Sequence, residues 1–445
     1  MRTLLLVVLG GGLVVFLFVR NGGEEPAVNA ASADGVMITE ESGAVQPGTT
    51  DAQQSPDSSA EKPQENPAET APLAAQPAAE APAALQQPAA VPDAPGDERD
   101  LARVLAHGPQ SVANWLSERP SLERSARGQY ASALAMALTG RSEAALALGA
   151  QLAEKGGISS AELDALKALA MPQENRPVAA SSSAPSALAH AALIARSVES
   201  ARAALAAGDY ARTVRGFSGA LRGELEAPWP AETALLAEWS EALRKAQAQY
   251  QWSPRAAWPA LEIPVQNGDS LIAIRKRALA QSQGLTTCTG LIAKANGLRN
   301  EGAIHPGMKL RIPTEKPHVL VDLDARWMLF FLGENVVCSY PVGIGRQGSE
   351  TPVGTYKVGE KTSEPTWFPP GAAPVPFNDP RNPLGTRWMA WQSEAGVNTS
   401  LGFHGTREPS SIGQQGSEGC IRLLNSDVEE LFELLPRGTE VRVQP

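Results

Sequence analysis

The chain has 445 residues, with 48 Asp and Glu against 38 Lys and Arg, for a formal net charge of −10. That length allows two to four domains and excludes a single small one; the three Cys cannot all be paired, and no nucleic-acid partner is expected. The acidic balance says nothing about what the folded part binds, because residues 21–98 alone hold fourteen Asp and Glu and one Lys, a net −13, which leaves +3 for everything else.

In chain order, residues 3–19 form an apolar run between Arg2 and Arg20. It is at the short end for a membrane span and long for a signal-peptide core. Small residues at Val28-Asn29-Ala30 and Ala31-Ser32-Ala33 offer cleavage sites, but they lie well past the apolar run. An uncleaved N-terminal membrane helix over residues 1–20 is therefore expected, with a cleaved signal sequence as the alternative. Either way the rest of the chain is exported to the cell envelope, facing the periplasm or the wall. Residues 21–98 have no aromatic residue and are dominated by Ala, Pro, Gln, Ser and Glu, so they form a disordered linker.

Residues 99–250 are Ala- and Leu-rich with helical spacing, as in Leu101, Val104 and Leu105 or Ala131, Leu134, Ala135 and Leu138. A Pro/Ser interruption over residues 172–186 divides the region. Residues 204–221, with Gly208 at a turn and Tyr210 after it, resemble the helix-turn-helix junction of a tetratricopeptide repeat. They cover barely one repeat where three are needed, so an ordinary helical bundle stands equally well. This region is expected to hold a protein partner or to position the rest of the chain.

Residues 261–314 carry Val265-Gln266-Asn267-Gly268-Asp269-Ser270-Leu271, then Ile292-Ala293-Lys294-Ala295-Asn296-Gly297-Leu298, then residues 304–313 around Pro306-Gly307. They resemble a LysM domain, a small βααβ fold that binds N-acetylglucosamine-containing glycan. Asp269 or Ser270 serves as a helix N-cap and Asn296-Gly297 as a helix stop. An insertion over residues 280–289 either lengthens the first helix or forms a loop. The alternative to glycan binding is a packing spacer.

Residues 317–445 read as all-β, with short β-rich runs at 319–323, 327–332, 336–342, 354–358, 387–391 and 440–443 and one helix over 426–434. Cys338 is expected on one strand face with Val336 and Tyr340, as a small buried hydrophobe. A Cys288–Cys338 bridge remains open. No Cys-x-x-Cys or His/Cys cluster points to a metal, and no cofactor is expected.

The chemistry concentrates near the end. His404-Gly405-Thr406 is followed by Ser417-Glu418-Gly419-Cys420-Ile421-Arg422, with Cys420 sixteen residues after His404. A thiol attacks carbonyls when a base takes its proton or its pKa is lowered, and a nearby His is the usual agent. Six ordered blocks surround this pair: residues 319–323, 340–345, 351–356, 365–367, 382–389 and 403–406, closing on 417–422. Together they resemble the L,D-transpeptidase catalytic domain of YkuD type. One position departs from that resemblance: Glu418 stands where many members carry a second His.

The resemblance implies a transferase acting on peptidoglycan stem peptides in cell wall biogenesis. Cys420 would be the nucleophile and His404 the proton acceptor and donor, and a thioester with the third residue of a tetrapeptide stem would release D-Ala. Backbone amides at Gly419 and Cys420 would stabilise the oxyanion, and Ser417 would orient the His or the loop. Arg422, Gly405, Thr406, Trp367 and Arg387 would bind substrate, although Arg422 serves equally well in an ion pair with Asp427. A second stem's amine would give a 3–3 cross-link. A lipoprotein amine or water are the other acceptors, and water would make the enzyme an L,D-carboxypeptidase. A non-catalytic LysM scaffold is the reading from another class.

Overall fold

The computed structural model describes residues 98–171, 186–253, 256–369 and 371–445, together with the backbone of two N-terminal strands. Those strands, β1 (Leu5–Leu9) and β2 (Leu13–Leu17), pair antiparallel with Leu5 opposite Leu17 and Leu9 opposite Leu13. This corrects the expected N-terminal membrane helix. Gly10-Gly11-Gly12 interrupts the apolar run, and each Gly costs a helix about 1 kcal/mol relative to Ala, whereas the flanking Leu and Val suit strands. No helix among the described residues is long and apolar enough to cross a membrane. The linker expected over 21–98 lies outside the described residues except at its end.

The helical region runs through α1 (Glu98–Ala106), α2 (Pro109–Ser117), α3 (Pro120–Glu123), α4 (Ala126–Leu138), α5 (Ser142–Glu154) and α6 (Ser160–Ala170). It continues through α7 (Ala187–Ala206), α8 (Tyr210–Leu225) and α9 (Thr233–Gln249). Ser159 and Glu162 form a capping box on α6, and the Asp209 side chain caps α8. The turn at Gly208-Asp209 joins α7 to α8 in a helical hairpin, which an ordinary helical bundle also contains.

Residues 260–313 form a βααβ unit, as the LysM resemblance implies: β3 (Ala260–Pro264), α10 (Leu271–Gln281), α11 (Thr289–Ala295) and β4 (Lys309–Pro313), with β3 and β4 antiparallel. Ser270 is the N-cap of α10, and Asn296 closes α11. The insertion forms a loop, since α10 stops at Gln281. The last residue of this loop before α11, Cys288, donates its thiol to the Glu433 carbonyl of the C-terminal domain at 3.2 Å. All three Cys are free, which settles the Cys288–Cys338 question.

The C-terminal domain is built on β5 (Pro317–Asp322), β6 (Trp327–Leu332), β7 (Asn335–Pro341), β8 (Ile344–Gly345), β9 (Gly354–Ser363), β10 (Arg387–Ser393) and β11 (Asn398–His404). It is completed by β12 (Gln415–Ser417), β13 (Ile421–Arg422), α12 (Asn425–Leu434) and β14 (Glu440–Gln444). Eight of these form one sheet in the order β13-β11-β10-β9-β14-β5-β6-β7. The β6 sequence Trp-Met-Leu-Phe-Phe-Leu lacks polar alternation because both of its faces are buried. Met328, Phe330 and Leu332 join the core of the C-terminal domain, while Trp327, Leu329 and Phe331 join the core of the helical region.

The helices also close the sheet at β7. Ser218 Oγ accepts the Val336 amide at 2.9 Å, and Gln247 Nε2 donates to the Val336 and Val337 carbonyls at 2.7 and 3.1 Å. The Ser240 and Ser339 hydroxyls meet at 2.6 Å. Edge-strand groups that would otherwise invite pairing are thus satisfied by side chains. A register shift at Val337 breaks the expected shared face: Cys338 and Tyr340 face the core of the C-terminal domain, whereas Val336 faces the helices.

Candidate active site

Strand β11, which sequence reasoning did not anticipate, presents His404. It pairs antiparallel with β10, with Trp388 opposite His404, and parallel with β13, with Phe403 opposite Ile421 and His404 opposite Arg422. Phe403 and Ile421 are fully buried in the core. Side chains alternate along strands, so His404 and Arg422 project from the other face. Cys420, one residue ahead of Ile421, projects with them.

The loop bearing Cys420 is fixed at several points. Strand β12 runs parallel to β8, and the Arg346 amide donates to the Ser417 carbonyl at 2.9 Å. Arg422 and Gly343 exchange backbone hydrogen bonds at 2.8 and 2.9 Å. Ser417, buried, donates its hydroxyl to the Cys420 carbonyl at 2.6 Å and accepts the Gly419 amide at 3.2 Å. Ser417 therefore shapes the loop rather than the His. Its bond also engages the Gly419 amide, leaving the Cys420 amide as the member of the expected oxyanion pair that is without an acceptor among the described residues. Gly419 has φ +101°, a conformation that other residues adopt only with strain.

Burial sets the protonation states. His404 is 4% exposed; burial, with the Arg422 charge adding to it, pulls its pKa down to about 4 against the opposing Gly405 and Leu384 carbonyls. Its Nδ1 lies 2.6 Å from the Gly405 carbonyl, which accepts from it, and this leaves Nε2 unprotonated. Burial also pushes the Cys420 thiol up to about 11, with Glu418 adding to the rise and the Gly402 backbone and Arg422 opposing it. The thiol donates to the Ser400 carbonyl at 3.6 Å. At neutral pH the pair is thiol and imidazole, both uncharged.

The other expected residues divide. No carboxylate among the described residues pairs with Arg422, whose Nε is buried without a partner; Asp427 bonds Ser426 instead. Glu418 is exposed and held by Arg346 at 3.3 Å. Thr406 is buried, its hydroxyl clasping Glu408 and Ser411, and Gly405 is buried beside it. Trp367 exchanges backbone hydrogen bonds with Val375 at 2.8 Å, forming the waist of the Pro-rich loop after β9. Buried Asn382 ties that loop together by donating to the Pro365 and Val375 carbonyls at 2.9 and 3.0 Å. Arg387 is not brought to the Cys: it shares the parity of Met389, and its guanidinium lies over the Phe432 ring of α12, 5.3 Å from the centroid. Sequence reasoning missed Trp388, whose ring centroid is 6.0 Å from that of His404, and Asn425, which follows the Cys motif closely but resembles an ordinary helix cap.

Residues 316–443 match the family model of the L,D-transpeptidase catalytic domain, YkuD, and residues 264–313 that of the LysM domain. A Bacillus licheniformis protein designated L,D-transpeptidase YkuD is 30% identical over 166 residues, covering 36% of this chain and 88% of its own. A Bacillus subtilis protein designated L,D-transpeptidase YqjB is 32% identical over 127 residues, covering 28% of this chain and 70% of its own. An Escherichia coli protein designated L,D-transpeptidase YbiS is 34% identical over 138 residues, covering 28% of this chain and 43% of its own.

Proposed function

The chain belongs to the L,D-transpeptidase family, and from that premise we propose that it cross-links peptidoglycan through a Cys420 thioester. The observation that carries this reading is the His404 ring, neutral and buried, on the sheet face from which Cys420 projects, with Nδ1 engaged by Gly405 so that Nε2 is left unprotonated.

In the first half-reaction Cys420 Sγ attacks the carbonyl carbon of the third stem residue while its proton passes to His404 Nε2. The Cys420 amide stabilises the oxyanion. The bond to the terminal D-Ala nitrogen then breaks, and that nitrogen takes the proton from His404. In the second half-reaction the side-chain amine of another stem attacks the thioester, His404 removes its proton, and Sγ leaves and is reprotonated. The product is a 3–3 cross-link. A pair that rests uncharged transfers its proton as attack proceeds, so the thiolate forms only where an electrophile awaits it. Ser417 and Gly419 hold the loop, and Arg422 offers its guanidinium to a stem carboxylate.

The wall-related domains give the chain a role in the cell envelope, and LysM would hold glycan while the catalytic domain works on the stems. Mass spectrometry of muropeptides after incubation with the enzyme tests the reading. Cross-linked dimers support it; tripeptides alone would make the enzyme an L,D-carboxypeptidase, and unchanged tetrapeptides would leave a non-catalytic scaffold.

A further inference from the structure

We propose that Asn425 is the positioning residue for His404, holding with one side-chain oxygen the two backbone segments that orient the imidazole. Asn425 opens α12. Its Oδ1 accepts the Thr386 amide and the Thr406 amide, each at 3.2 Å. These amides belong to separate stretches of chain, one leading into β10 and the other leaving β11.

The carbonyls that act on the His404 ring lie in the same two stretches. Gly405 O accepts from Nδ1 at 2.6 Å, and the Leu384 carbonyl is the other backbone group supporting the ring. Residues 384–386 and 404–406 are therefore held around the imidazole by a shared acceptor. Two glycines clear space for it: a Cβ on Gly385 would lie 2.4 Å from Asn425 Oδ1, and one on Gly405 would lie 2.2 Å from it. Both contacts are far inside van der Waals range, so the Asn can reach the two amides only where those positions lack side chains.

The consequence is chemical. Without Oδ1, two half-buried amides lose their acceptor, and the peptide carrying Gly405 O can turn away from Nδ1. The ring then samples the tautomer with hydrogen on Nε2, which cannot take the Cys420 proton. Asn425 is thus a positioning residue acting through His404, and this inference rests on the proposed role of His404 as base.

Full-chain Asn425→Leu and Asn425→Asp test it by muropeptide kinetics, by the pH profile of turnover and by the nitrogen-15 spectrum of the His404 ring. In Asn425→Leu, kcat should fall about 10- to 100-fold, the scale of a misplaced catalytic group, with KM little changed and the single Nδ1-H tautomer replaced by a mixture. Asn425→Asp keeps the acceptor, so it should recover most of that loss. It should also move the acidic limb to higher pH, because a carboxylate beside these segments favours the imidazolium. A merely structural Asn would lower Tm in the Leu variant and leave the ring spectrum unchanged, which would overturn the proposal. If the Leu variant fails to fold, the Asp variant decides alone, since an unmoved acidic limb is equally fatal. Should the wild type fail to transpeptidate, the ring spectra still read the positioning, so the two ideas fail separately.

Discussion

The two ends of the eight-stranded sheet meet the same problem in opposite ways. At β7 the free edge and the outer face are sealed by the helices, whose Ser218, Ser240 and Gln247 satisfy the strand and whose apolar residues cover Trp327, Leu329 and Phe331. At β13 the ladder is two residues long, and the chain beside it is the Cys420 loop. Burial operates at both ends, but to different effect: at β7 it stabilises, and at β13 it lowers the affinity of His404 for its proton and raises that of Cys420. A wall enzyme can therefore keep its chemistry at one edge while anchoring its scaffold at the other.

The sharpest way to break the comparison is to remove chemistry without touching the scaffold. Cys420→Ala should abolish turnover with Tm essentially unchanged, and His404→Ala should cost kcat about 10²–10⁴-fold, the usual worth of general acid–base catalysis. Residual turnover in Cys420→Ala near the wild-type rate would remove the nucleophile assignment. Conversely, Phe217→Ala, at a helical residue 2% exposed, should destabilise the chain by about 3–5 kcal/mol. Below its Tm, the rate of Cys420 alkylation should not change. Denaturant titration alongside iodoacetamide kinetics separates the two readouts.

Smaller changes sharpen the contrast. Gln247→Leu leaves the Val336 and Val337 carbonyls without that donor and should cost about 1–3 kcal/mol, read as a shift in the urea midpoint, again with unchanged alkylation. At the other end, Glu418→Gln removes an exposed carboxylate that raises the thiol pKa. The thiolate fraction then increases, so alkylation below the alkaline limb near pH 11 should quicken by about two- to threefold at low ionic strength, less in salt. A slower reaction would reverse the sign assigned to Glu418.

These differences follow what the sequence made legible. The Cys motif and the LysM turns were readable because chemistry and turn geometry place particular residue types at short spacings, as in Ser417 to Arg422 or Gly268 to Ser270. Strand β11 was not, because Asn-Thr-Ser-Leu-Gly-Phe-His carries apolar residues only at Leu401 and Phe403 and sets a Gly between them. The seventeen-residue run from Thr3 to Val19 reads as a helix by length alone, yet three glycines divide it into a strand pair. Arg387 lies one residue from Trp388 in a strand, and a parity of one sends it to the opposite face, over Phe432. Gln247 and Asn425 act on backbone far away in sequence, which local patterns cannot report. One available signal went unused: the unbroken apolar run of β6 already implied a layer on each face, and the helices supply the second.

The most direct test of the central claim is intact-protein mass spectrometry of the enzyme quenched during turnover with a tetrapeptide muropeptide, followed by digestion to locate the adduct. An uncharged Cys420–His404 pair that transfers acyl groups predicts a mass gain equal to the donor minus D-Ala, carried on the peptide containing Cys420 and absent from Cys420→Ala. Donor consumption at the wild-type rate with no adduct at Cys420, or with an adduct on Cys288 or Cys338, would contradict it.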